Sequence, residues 1–83
     1  MHMTQTTTIH GIVIPVAWNE KGDVISVAIA TYNEEKYLVE NNVKSQQLFF
    51  LLRKRVVIDG VLATRDKIKS IDINSFREDT SKV

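Results

Sequence analysis

"KRVVIDGVL", Lys54 to Leu62, alternates with a period of two: Val56, Ile58 and Leu62 fall on one face, and Gly60 occupies the remaining position of that face. Side chains in a strand point alternately to opposite sides, so this run reads as a strand with one buried face. Gly60 has no side chain to pack, and it lets the strand bend sharply. The strand extends over 55–64, "RDK" (65–67) makes a tight turn, and "IKSIDINSF" (68–76) forms the next strand. There Ile71 and Ile73 alternate with Asp72 and Asn74, while Ile68 and Phe76 fall on the opposite parity. A bulge, or a change of buried face, reconciles the two sets.

Upstream of Lys54 the period changes. Leu48, Leu51 and Leu52 group by i+3 and i+4, with Phe49 alongside, Lys44, Gln46 and Gln47 on the other side, and Asn42 as a capping residue. The pattern predicts a helix over 43–54. Before it, "TIHGIVIPVAW" (8–18) and "VISVAIATY" (24–32) are β-branched strands joined by "NEKGD" (19–23), a glycine-bearing hairpin loop. Pro15 cannot donate to a ladder, which puts it at a bulge or on an edge. "NEEK" (33–36) then turns the chain into a short third strand, "YLVEN" (37–41).

Eighty-three residues supply one core, since a chain this short buries only about 60% of its unfolded surface. The expected organisation is a tail over 1–7, with Met1 and His2 read as cloning residues, a barrel over 8–77, and a second tail over 78–83. A net charge of +1 argues against an obligate double-helix binder, whose basic excess is large. The longest apolar runs, 12–18 and 48–52, are far below the roughly 20 residues that span a bilayer, so a cytoplasmic protein with no membrane partner is expected. With no cysteine, and with His2 and His10 the only histidines, neither a thiolate nor a histidine-rich metal site can be assembled. Glu34 and Glu35 are adjacent in a turn and do not form an acid–base pair, no phosphate-cradling glycine loop occurs, and the serines lack a partner base. The expectation is therefore a non-enzyme with no cofactor and no metal.

The order β-β-β-α-β-β resembles the OB-fold, a five-stranded Greek-key barrel with one helix between strands 3 and 4. The resemblance covers nearly the whole of 8–77. Its most specific segment is Lys54, Val56, Ile58, Gly60 and Leu62, which reproduce the K-x-V-x-V-x-G-x-V run that often forms strand 4 of such domains. An all-β fold with a small helical contribution is implied. So is a ligand surface on strands 2 and 3, flanked by the 1–2 and 4–5 loops.

On that reading single-stranded nucleic acid is the candidate partner, since it needs rings for bases to stack on and cations along the phosphates. Tyr32 and Tyr37 flank "NEEK" and would be cross-strand neighbours, Trp18 closes strand 1, Lys21 lies in the first loop, and Arg65, Lys67 and Lys69 lie around the 4–5 turn. Plainer readings stand beside these: a stabilising tyrosine pair, a capping tryptophan and a solvated turn. Arg53, Lys54 and Arg55 are read as cations at the negative end of the helix dipole. Phe49, Phe50 and Phe76 are read as core. Another protein is the alternative partner, because near-neutral charge and the apolar second strand suit a covered surface.

Overall fold

The computed structural model describes residues 6–80 and consists of five strands and one short helix: β1 (Thr7–Trp18), β2 (Val24–Thr31), β3 (Lys36–Val39), a helix labelled η1 (Ser45–Leu51), β4 (Arg55–Arg65) and β5 (Ile68–Glu78). β1 and β5 each run one residue past the boundaries expected for the barrel; residues 1–5 and 81–83 of the expected tails lie outside the described residues.

The strands close into a barrel in the order β1-β2-β3-β5-β4, with β4 returning to β1. All neighbours are antiparallel except β3 and β5, which run parallel with Leu38 opposite Ser70 and Val39 opposite Ile71. The twelve residues of β1 serve two partners: Thr7–Ile12 pairs with β4 and Gly11–Trp18 with β2. Pro15 falls where this sharing ends. Val13 donates its N–H to Lys54 O and accepts Arg53 N–H at its carbonyl. Two residues on, the missing N–H of Pro15 points to the same side, beyond the last β1–β4 pair at Ile12 and Arg55. The β1–β2 register slips immediately after Pro15, so the proline sits at a bulge.

The inward face of β4 carries Val56 and Ile58, fully buried, and Leu62, partly buried. They pack on Ile9, Val13, Val27, Ile29, Ile71 and Ile73. Opposite Gly60, the β4–β5 register slips so that Asp59 faces Ser75 and Gly60 faces Ile73, leaving Asn74 as an extra residue in β5. That bulge switches parity: Ile71 and Ile73 point inward before it and Phe76 packs on the core after it. Ile68, before the bulge, faces outward and is exposed.

The connection between β3 and β4 differs from the expected α-helix over 43–54. It is a 3-10 helix of seven residues, started by a reciprocal pair: Asn42 Oδ1 accepts Ser45 N–H at 2.8 Å and Ser45 Oγ accepts Asn42 N–H at 2.9 Å. Three residues per turn put Ser45, Leu48 and Leu51 on one face. Ser45 and Leu48 are buried there, and Leu51 packs on the core. The same period turns Phe50 outward, where it is 85% exposed, so Phe50 is not core while Phe49 and Phe76 pack against it. The cations 53–55 lie beyond the helix, whose last turn holds no basic residue. Arg53, with φ 67°, makes the reversal into β4, so this segment serves the strand connection and not a helix dipole.

Two hairpins share one turn design. In the first, Asn19 N–H and Asp23 O pair at 2.9 Å, Gly22 N–H donates to Asn19 O, and Gly22 has φ 87°. In the second, Thr31 N–H and Glu35 O pair at 2.8 Å, Glu34 N–H donates to Thr31 O, and Glu34 has φ 67°. This is a tight turn closed by a left-handed residue, a position that favours glycine. Glu34→Gly is therefore expected to raise unfolding free energy by up to about 1 kcal/mol, and Gly22→Ala to lower it by about as much. Chemical denaturation of the two variants checks the pair; a loss of stability in Glu34→Gly would show that its side chain compensates the backbone cost.

Candidate nucleic-acid interface

Because β3 and β5 are parallel and both begin at the same end of the barrel, the turns that precede them, 32–35 and 66–67, are neighbours. The second is a two-residue turn between the paired Arg65 and Ile68, with Asp66 at φ 54° and Lys67 at φ 68°, the signature of a type I′ hairpin. Two open grooves flank the junction. One, of about 430 Å³, lies between the start of β1 and the β2–β3 turn and is lined by Tyr32 and Tyr37 together with His10 and Asn33. The other, of about 520 Å³, lies between the two turns and is lined by Lys36, Lys67 and Lys69 around Leu38 and Ile68. Glu35 borders both grooves.

Tyr32 and Tyr37 line one groove, but they are not the cross-strand pair expected. Residues 31 and 35 close the turn, which leaves Tyr32 at its tip, 59% exposed. Tyr37 pairs with Ile29 and shares its inward parity, so its ring packs on the core at the barrel mouth. This also settles β2: Val27 and Ile29 belong to the core, and Ala28, of the other parity, is buried as well.

At the ridge between the grooves Glu35 gathers two donors. Tyr37 Oη donates to Glu35 Oε2 at 2.6 Å, and Lys69 Nζ lies 2.8 Å from Oε1 and 5.8 Å from the centre of the Tyr37 ring. The hydrogen bond from Lys69, then that from Tyr37, holds the Glu35 carboxyl below its ordinary value of 4.5. The same bond raises Lys69, and the bond to Glu35 raises Tyr37 with help from burial. A depressed acid stabilises the fold above its unfolded pKa and loses that contribution as pH falls through its folded pKa. The raised Lys69 and Tyr37 contribute below their ordinary values of 10.5 and 10.0 and lose it as pH rises further. The stability difference between wild type and Glu35→Gln should therefore be flat from weakly acidic to weakly alkaline pH and shrink below 4.5. Denaturant unfolding across pH measures it; a difference that persists in acid would assign the effect to packing instead of charge.

The other expected site residues divide by position. Arg65 and Lys67 are exposed at the β4–β5 turn, beside the lysine groove. Trp18 and Lys21 lie at the far end of β2, roughly 25 Å away at about 3.3 Å per residue along the eight-residue strand. Trp18 is 54% exposed there. Lys21 sits in the first turn, its N–H bonded to Asn19 Oδ1. Lys36, Asn33 and His10 line the grooves without having been expected at a site. Their signal is the strand order: the antiparallel β1–β2 pair, with Gly11 facing Thr31, brings His10 to Asn33, and the parallel β3–β5 pair brings Lys36 to Lys67 and Lys69. Glu34 and Lys67, both non-glycine residues in left-handed backbone, face the same lysine groove.

Among the described residues no group of three or more His, Asp or Glu is placed to hold a metal ion, and no helix is long and apolar enough to cross a membrane. The closed five-stranded barrel is compatible with an OB-fold. No family model matches the chain, no curated protein is significantly similar to it, and no solved structure matches it.

Proposed function

We propose that this chain is a non-enzymatic module of the OB-fold superfamily that holds single-stranded nucleic acid weakly at the junction of the β2–β3 and β4–β5 turns. The observation that carries the reading is the shared wall between a groove with two tyrosines and a groove with three lysines. Bases stack on rings and phosphates follow cations, and here the two features lie one residue apart along β3. Lys36 and Lys67 accompany the phosphates, with Arg65 steering from the end of β4 and Lys69 held by Glu35. The intervening Glu34 and Glu35, and the ion pair on Lys69, keep affinity low.

Fluorescence anisotropy with a labelled mixed-sequence oligonucleotide over a range of salt tests this. Each phosphate neutralised contributes about −0.7 to the slope of log affinity against log salt, so Lys36 and Lys67, with Lys69 already paired to Glu35, give a slope of about −1.4. A flat salt dependence overturns the electrostatic part. Trp18 fluorescence should stay constant while amides at 32–37 and 65–69 shift, because Trp18 lies at the other end of β2.

A second reading, contact with another protein, rests on the outward side of the 3-10 helix. Phe50 and Val43 are 85% and 81% exposed, and Phe49, Phe50 and Gln46 line a shallow apolar depression. Sedimentation tests self-association: assembly of the wild type that Phe50→Ser abolishes supports this face, and a monomer at high concentration removes it.

A further inference from the structure

We infer that Glu35 makes the tyrosine groove select guanine among the bases of a single strand, an inference that rests on the nucleic-acid reading above. Of the described residues lining that groove, Glu35 is the only one with a formal charge at neutral pH. Its polar neighbours Thr8, His10, Thr31 and Asn33 carry groups that donate as well as accept, so none of them favours one base edge. An ionised carboxylate accepts only. Each of its oxygens has two lone pairs, and Tyr37 Oη and Lys69 Nζ take one on each oxygen, so each keeps a free acceptor position. The same two contacts hold the carboxylate in place at the groove wall, with the rings of Tyr32 and Tyr37 lining the same space.

Base edges differ in what they offer such a group. Guanine presents two adjacent donors, the N1–H and the 2-amino group, spaced to meet both oxygens of one carboxylate. Adenine and cytosine present one amino donor beside an acceptor. Thymine and uracil present one N–H between two carbonyls, which an anion repels. A bidentate pair discriminates by about five-fold or more between bases, so the order expected is guanine first and thymine or uracil last.

The test uses anisotropy at low salt with labelled thymidine oligonucleotides that differ only in a central dG, dA, dC or deoxyinosine, against wild type and Glu35→Gln. The wild type should bind the dG oligonucleotide about five-fold tighter than all-dT, deoxyinosine, which lacks the 2-amino donor, should lose most of the gain, and Glu35→Gln should level the series. Circular dichroism of Glu35→Gln confirms that the barrel is intact. Equal binding of all oligonucleotides by the wild type, or a guanine preference unchanged in Glu35→Gln, overturns the inference and leaves the nucleic-acid reading standing. Failure to bind any of them at low salt removes both.

Discussion

Gly60→Ala is expected to cost the barrel about 3 kcal/mol or more, a large share of the roughly 4–12 kcal/mol that a domain of this length has to lose. A β-carbon at this position would lie 2.5 Å from the carbonyl oxygen of Asp72 and 2.9 Å from Cγ1 of Ile71. The carbonyl belongs to the β5 backbone and cannot swing aside as a flexible side-chain tip could. Ile71 is fully buried and hemmed in by the core, so it cannot yield either. Relief requires β4 and β5 to separate at the point where their register slips, which would break the longest pairing in the barrel. Urea unfolding of the single variant measures the loss. A cost below about 1 kcal/mol would show that the bulge at Asn74 absorbs a methyl group, and that Gly60 is not what bends the strand.

The segments legible in the sequence are those where one local rule decided the outcome. Val56, Ile58, Gly60 and Leu62 are legible because a period of two leaves one assignment of the buried face, and the odd parity of Phe76 leaves a bulge or a change of buried face in β5, of which the structure has the bulge. The missing donor of Pro15 puts it at a bulge or on an edge, and the structure has it at a bulge. The misreadings come from turns and helix period. Tyr32 continues the apolar run of 24–32 and so reads as the end of β2, yet residues 31 to 35 adopt the same turn as residues 19 to 23 with Glu34 in the place of Gly22. A left-handed glutamate leaves no mark in composition. The reading of Phe50 as core fails because a 3-10 period, with Ser45, Leu48 and Leu51 inward, sends it outward. The candidate site was legible in part. Tyr32, Tyr37, Lys67 and Lys69 do come together, but Trp18 and Lys21 do not join them. The partnership of Glu35 with Lys69 spans 34 residues and depends on a parallel pairing that no local pattern encodes.

Leu48→Ala and Phe50→Ser, two residues apart on the same short helix, are expected to differ by several-fold in their effect on stability. Leu48 is fully buried among the core residues, and the helix it belongs to has only seven residues of its own. A helix that short does not persist by propensity, so its docking through Leu48 is what holds it against the barrel. Truncation removes the anchor and leaves a cavity that the strands, tied into a closed ladder, cannot collapse to fill. The cost should be about 2–5 kcal/mol, with near-ultraviolet signals and helix-segment amides lost before the strands. Phe50→Ser should change stability by less than about 0.5 kcal/mol, since a side chain already in water gives up little when removed. Comparable losses in the two variants would mean that Phe50 is covered in solution, which is the outcome expected if the protein-contact reading holds. Unfolding Phe50→Ser at two protein concentrations separates the cases, because stability lent by a second copy depends on concentration and stability from intramolecular packing does not.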